Sequence, residues 1–164
     1  MILKEILNRR SVREYTKEAI PQEYIVEIIK AGQIAPTAKN TRGIECLVVK
    51  KQATKDSIFE ITGQEFVKEA AILLIPVADS AKSLFPMQDL SVASENMFLQ
   101  ATALGVGSVW KNLRAEWAIE VKKLLGIPEQ HAIINIIPLG FPAKTPEPHG
   151  AEDFDERKIH LEQW

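Results

Sequence analysis

Arg9, Arg10, Ser11, Val12 and Arg13 put three guanidiniums and a hydroxyl within five residues, at the end of a predicted opening helix. A guanidinium is a planar fork of N–H donors that fits phosphate oxygens two at a time, and a nearby serine adds a short neutral donor. Phosphate binding is the chemistry such a cluster serves. The same residues would also suit a solvated basic helix end, because arginines favour the negative pole of the macrodipole, and local sequence leaves both readings open.

Other chemistries find little support. The single cysteine, Cys46, excludes an intrachain disulfide framework and any cysteine-rich zinc or iron–sulfur site, and it reads as a buried, unreactive strand residue. His131, His149 and His160 are too scattered for a zinc motif, and neither a Gly-x-Gly-x-x-Gly turn nor a Walker loop occurs. No Ser/His/Asp or Cys/His arrangement stands out. A net charge of -2 gives no global basic field, so nucleic acid or an anionic membrane is not an expected partner.

The elements that must position these residues follow from length and apolar spacing. The 164 residues, 46% hydrophobic and 26% charged, suit a single domain with a sizeable core. Helices are expected over 2–10 and over 22–34, where Tyr24, Ile25, Ile28, Ile29 and Gly32 keep helical spacing and Pro36 follows as a stop. Leu47-Val48-Val49 reads as a strand, with short helices at Lys55–Ile61 and Gln64–Glu69. Ala71–Ala78 is a buried strand in which Pro76 argues for an edge or a bulge. Residues 87–104 form the longest helical pattern, carried by Leu90, Ala93, Met97, Ala101 and Leu104 and stopped by Gly105. Gly107–Trp110 reads as a strand entering a loop, with Trp110 packed in the core. Residues 115–125 form a helix closed by Gly126, and Ala132–Leu139 is a last strand broken by Pro138. Four strands interleaved with helices give an α+β or α/β class.

From residue 142 the chain is rich in proline and charge, yet carries Phe154, Ile159, Leu161 and Trp164. A tail with apolar anchors and no core of its own needs a surface to cover. The expectation is a homodimer with exchanged C-terminal arms, the alternative being a tail packed back on its own chain. An early charged interruption of the apolar N-terminus, the lone cysteine and the absence of a run of roughly 18 to 20 uncharged residues point to a soluble cytoplasmic protein.

Taken together, the chain resembles the nitroreductase family of flavin mononucleotide (FMN) oxidoreductases. Arg9-Arg10-Ser11-Val12-Arg13 is similar to the family's Arg-x-Ser-x-Arg box, and Ile20-Pro21 follows at the usual interval. Ala35-Pro36-Thr37-Ala38-Lys39-Asn40 resembles its Ala-Pro-Ser-x-x-Asn loop. Asp89, Ala93, Glu95 and Asn96 sit on the long helix as in small members. Leu104-Gly105-Val106-Gly107-Ser108-Val109-Trp110 resembles their Leu-Gly-Leu-Gly-Ser-x-Trp turn. Leu125-Gly126-Ile127-Pro128 and Leu139-Gly140-Phe141-Pro142 complete the series.

The resemblance implies a three-layer α+β fold with a central mixed, mainly antiparallel sheet flanked by helices. It also implies one domain over 1–164, with 142–164 as an exchanged arm, and an intertwined homodimer with FMN at the interface. Arg9, Arg10 and Ser11 would hold the phosphate and ribityl chain. Arg13 would reach the pyrimidine edge, where a cation balances the negative charge of reduced flavin. Pro36, Thr37 and Ala38 of the second subunit would cover the ring system, Asn40 would bond the flavin or its ribityl chain, and Gln64 could meet the polar edge. Backbone N–H groups near Lys111 and Asn112 would face N5 and O4, and Gly140 would let the backbone pass near the cofactor.

Two departures stand out. Arg42-Gly43-Ile44 replaces a common Gln-Pro-Trp, which bears on substrate range. Lys144 or His149 stands where many small members carry a phosphate-binding arginine; an imidazole there would bind best when protonated. The implied reaction is ping-pong hydride transfer from NADH or NADPH through flavin N5 to a small electron-poor acceptor such as a nitroaromatic or quinone. The alternative is a flavin carrier or sensor without efficient turnover.

Overall fold

The chain is described over residues 1–164 by a computed structural model. Six helices form where apolar residues recur at three and four: α1 (Lys4–Asn8), α2 (Gln22–Gln33), α3 (Gln52–Thr62), α4 (Glu65–Glu69), α5 (Pro86–Ala103) and α6 (Ala115–Leu125). Pro86 opens α5, where its missing N–H costs no helical bond. Gly126, with φ +68°, closes α6 in the left-handed turn that glycine adopts without strain.

Six strands, rather than the four expected, build one sheet: β1 (Ile44–Val49), β2 (Ile72–Asp79), β3 (Gly107–Ser108), β4 (Lys111–Asn112), β5 (His131–Ala132) and β6 (Asn135–Gly140). The order is β1-β2-β6-β3, with β5 on β2 and β4 on β6, and every strand pair is antiparallel. A parallel bridge from Ser11 to Ser108 makes the sheet mixed.

Both strand prolines correct the sequence reading. Pro76 lies in the central strand β2, opposite Cys46 of β1, and Pro138 lies inside β6 rather than breaking it. Each sits where the ladder on one flank is already interrupted. On β2's other side the partners pass from β6, which ends at Leu74, to β5, which begins at Ala78. Along β6 they pass from β4, up to Ile136, to β3, from Leu139. A residue without an N–H forfeits nothing at such a gap. The strand expected over Ala132–Leu139 is divided instead at Ile133 and Ile134.

Strand alternation then sorts the core into layers. Leu73, Ile75 and Val77 of β2 with Ile136 of β6 meet Ile58, Val67 and Val121 of α3, α4 and α6. Ile72 and Leu74 with Ile137 and Leu139 meet Ile25, Ile28, Met97, Phe98 and Ala101 of α2 and α5. The result is a helix–sheet–helix sandwich.

The opening helix is shorter than its apolar pattern predicts. It ends at Asn8, and Arg9 is already extended, with φ -64° and ψ 117°. The segment beyond it is captured at long range, by the Ser11–Ser108 bridge and by an antiparallel bridge between Tyr15 and Pro142. The arginine cluster is therefore not a helix end but a strap lying along the sheet.

Candidate functional site

Extended backbone turns successive side chains to opposite sides, and this divides the cluster. Arg9 and Ser11 open onto a cleft of about 200 Å³ whose other walls are Glu95 and Phe98 of α5 and Ser108, Val109 and Trp110. Arg10 and Val12 face the other way, into a cleft of about 350 Å³ shared with Thr102, Gly105 and the tail residues Thr145, Pro146 and Pro148. Arg10 is committed there, donating from Nη1 to the Glu147 carbonyl at 2.7 Å. Val12 is buried over Gly107, where an added Cβ would lie 2.7 Å from its Cγ1. The structure thus brings Arg9 and Ser11 together and parts them from Arg10.

The Arg9–Ser11 cleft holds donors in reserve. Arg9 meets only Glu95, through Nε at 3.6 Å, a loose and solvent-screened pair that leaves the terminal N–H fork open. The Ser11 and Ser108 side chains make no hydrogen bond within the chain. Unpaired donors around a concavity suit an anionic guest.

Further along the strap, the Arg13 guanidinium lies 5.9 Å from the centre of the Phe66 ring on α4, and Gln64 is the exposed residue that precedes the same helix. Tyr15 fixes the strap's end: its hydroxyl donates to the Val12 carbonyl at 2.8 Å, and burial holds its pKa far above the usual value. Gly140 lies buried beneath this ring, so the close approach that needs a glycine is made by Tyr15.

The loop after α2 is fastened from α5. The buried Asp89 accepts from the Ala38 N–H through Oδ1 at 3.0 Å and from the Ser83 hydroxyl through Oδ2 at 2.6 Å. Three non-glycine residues there adopt positive φ: Lys39 at 54°, Asn40 at 54° and Arg42 at 52°. Thr37 Oγ1 accepts from the Arg42 N–H at 3.1 Å, and Asn40 Oδ1 accepts from Arg42 Nε at 3.2 Å. Pro36 and Asn40 are exposed, and none of Pro36, Thr37, Ala38 or Asn40 lines the Arg9–Ser11 cleft of the same chain.

Lys111 and Asn112 form β4 against β6. The Lys111 side chain is buried, with Nζ 4.1 Å from the centre of the Trp117 ring; burial, aided by Arg114, lowers its pKa. Trp110 is not a core residue as expected. It is 37% exposed, stands at the cleft mouth 6.1 Å from Phe98, and donates from Nε1 to Asn112 Oδ1 at 3.4 Å. It lies in the connection between β3 and β4, turned outward while Val109 and Lys111 on either side are buried.

Of the two tail candidates, Lys144 is exposed, while His149 bonds Asp153 at 2.7 Å through Nδ1 and donates its backbone N–H to the Leu7 carbonyl at 2.7 Å. The His149 bond is the main reason the Asp153 carboxyl is held below its usual range. Farther on, Phe154, Ile159, Leu161 and Trp164 are 62%, 57%, 84% and 102% exposed, so the tail does not bury them on its own chain.

Sequence reasoning singled out no role for Asp89, Glu95 or Phe66. For Asp89 a signal existed, since it shares helical spacing with Ala93 and Met97 and so falls on the buried face.

The sequence model of the nitroreductase family matches residues 6–78 and 62–141. A protein of Methanothermobacter thermautotrophicus, provisionally named an NADH dehydrogenase/NAD(P)H nitroreductase, is 36% identical over 170 residues, covering 99% of this chain and 87% of that protein. The solved structure of an FMN-dependent nitroreductase from Clostridium difficile superposes with a TM-score of 0.93 at 26% identity, covering 99% of this chain and all of that one. The NADPH:FMN oxidoreductase of Vibrio harveyi, solved with NAD+, gives a TM-score of 0.84 at 25% identity over 98% of this chain and 76% of that one.

Proposed function

The chain belongs to the nitroreductase family, and from that premise we propose that it is an NAD(P)H-dependent FMN oxidoreductase that passes hydride to a small electron-poor acceptor. The observation that carries this reading is the Arg9–Ser11 cleft, whose open guanidinium fork and unbonded hydroxyls fit a phosphate group. Bound FMN supplies two-electron chemistry at its N5 position, which no side chain of this protein could replace.

The chain's own residues bind and orient. Arg9 and Ser11 take the phosphate, with Lys144 as a further cation, while Arg10 and His149 hold the tail beside it. Arg13, backed by the Phe66 ring, sets positive charge at the pyrimidine edge, with Gln64 beside it. Backbone N–H groups of Lys111 and Asn112 face the reacting edge. Pro36, Thr37, Ala38 and Asn40 come from the second subunit, which accords with their distance from the cleft of their own chain. Turnover is ping-pong: NAD(P)H and then the acceptor, a nitroaromatic, a quinone or a similar flat compound, use one face of the site in turn. No general acid or base is required.

The unit is one domain over 1–164 that dimerises through the arm 142–164. The exposed Phe154, Ile159, Leu161 and Trp164 are the anchors that a partner would cover.

The test is the absorbance spectrum of protein saturated with FMN, before and after anaerobic addition of NADH or NADPH. Bleaching of the flavin band is the expected result. A bound flavin that neither nucleotide bleaches would make the protein a carrier or sensor, and no bound flavin would overturn the cofactor assignment.

A further inference from the structure

Asp89 poses a question the reaction does not answer. Only 4% of its surface is exposed, yet it has no Lys, Arg or His partner. A buried carboxyl group without a cation is costly unless hydrogen bonds take its place. Two do, one on each oxygen, and they lead to different loops: Ala38, 51 residues away, and Ser83, in the connection between β2 and α5. The Ala38 bond falls immediately before the left-handed residues Lys39, Asn40 and Arg42. L-residues resist that conformation, and such turns persist only where the surroundings over-determine them. The contacts within the loop, Thr37 to Arg42 and Asn40 to Arg42, move with the loop and cannot anchor it to the body. The Asp89–Ala38 bond can, because Asp89 stands on the buried face of α5.

We propose that Asp89 is a positioning residue that fixes the Thr37–Arg42 loop in its cofactor-covering shape by receiving the Ala38 N–H. The inference rests on the flavin reading for its consequence and on the chain alone for its geometry. It touches no reacting atom; it acts through Ala38.

Four variants test it. Asp89→Ala removes both bonds. Ala38→Pro deletes the donor and sets the proline ring against Asp89 Oδ1, so the bond is lost with the carboxylate retained but displaced, and the extended Thr37 (φ -126°, ψ 154°) accepts a following proline. Asp89→Asn keeps an acceptor for Ala38, with the Ser83 hydroxyl free to turn and accept. Ser83→Ala keeps the Ala38 bond. Hydrogen exchange of residues 37–42 in FMN-free dimer is read beside FMN affinity and Tm.

Asp89→Ala and Ala38→Pro are expected to lose protection across the loop and to weaken FMN binding by about 10- to 100-fold. Asp89→Asn should restore both readouts, and Ser83→Ala should keep both within about twofold whatever its Tm. Native loop protection and native FMN affinity in Ala38→Pro would overturn the proposal even if Asp89→Ala failed to fold. An affinity that merely followed Tm across all four variants would overturn it too. If the unaltered protein bound no FMN, the flavin reading would fail, and loop exchange would still decide the role of Asp89.

Discussion

Replacing Gly140 by alanine separates two reasons for a glycine at the end of β6. Its added Cβ would lie 2.6 Å from Cδ1, 2.7 Å from Cγ and 2.9 Å from Cβ of Tyr15. The ring must therefore retreat by about 0.8 Å to reach ordinary van der Waals separation. It is not free to do so. Its hydroxyl holds the Val12 carbonyl at 2.8 Å, the next residue's N–H holds the Phe141 carbonyl at 2.8 Å, and the ring rests on the α3/α4/α6 side of the core. Overpacking of this kind costs about 1–3 kcal/mol, and loss of the hydroxyl bond would add about 1 kcal/mol. At about 2–4 °C per kcal/mol for a domain of this size, Tm should fall by roughly 2 to 16 °C. The fall should be present without FMN, because Tyr15 is its cause. FMN affinity should fall as well, since the strap carrying Arg9, Ser11 and Arg13 moves with Tyr15. Gly43→Ala is the control: its Cβ would meet nothing nearer than Lys82 Cβ at 3.8 Å, and Tm should be almost unchanged. Thermal unfolding of both variants, with and without FMN, decides the matter. A Gly140→Ala protein as stable as Gly43→Ala when FMN-free, but deficient in FMN binding, would show that the glycine serves the cofactor and that the Tyr15 reasoning is wrong.

Three further outcomes are expected. Arg9→Ala should weaken FMN binding by about 10- to 100-fold in a fluorescence titration with little change in Tm, because its only intrachain partner is the loose Glu95 contact; unchanged affinity would remove Arg9 from the phosphate site. Cys46 is partly rather than fully buried, but desolvation raises its thiol from 9.0 to about 12, so at pH 8.5 a disulfide reagent should label the native protein slowly and the urea-unfolded protein at once. The sign follows: the unfolded thiol ionises first, so this group's stabilisation is complete below pH 9.0 and is lost as pH climbs toward about 12; fast native labelling would contradict the burial. Deleting residues 154–164 should convert a dimer to monomer in sedimentation velocity, and a truncated chain that stays dimeric would count against the exchanged arm.

Local periodicity made α2, α5 and α6 legible, because the buried residues of α2 and α5, and Ala118, Val121 and Leu125 of α6 that pack on the core, are spaced at three and four, and Gly126 stops α6 where expected. The strands were harder to read. Pro76 and Pro138 announce a missing donor, but only the register shows that the neighbouring ladder is already open beside them. The arginine cluster was found as a donor set, and its conformation was not. Nothing near residue 9 reveals that Ser11 and Tyr15 have partners at Ser108 and Pro142, and only extended geometry divides Arg9 from Arg10. Trp110 was assigned to the core on hydrophobicity alone, whereas the inward places are taken by Val109 and Lys111 on either side of it. The left-handed φ of Lys39 and Arg42 had no sequence sign, and of the three only Asn40 is of a type that visits that region readily.

The strap's partners also set a timetable for synthesis. Residues 9–15 leave the ribosome well before the surfaces that hold them, which lie at Ser108, Phe141, Pro142 and Glu147. Contacts of such separation form only after long stretches of chain have been closed into loops. Until those surfaces are made, Arg9, Arg10 and Arg13 therefore trail free, while the helices and the β1–β2 hairpin behind them can already pair. The strap is thus docked on surfaces made long after it, and a nascent chain arrested before Pro142 would carry a forming core with Tyr15 still unbridged.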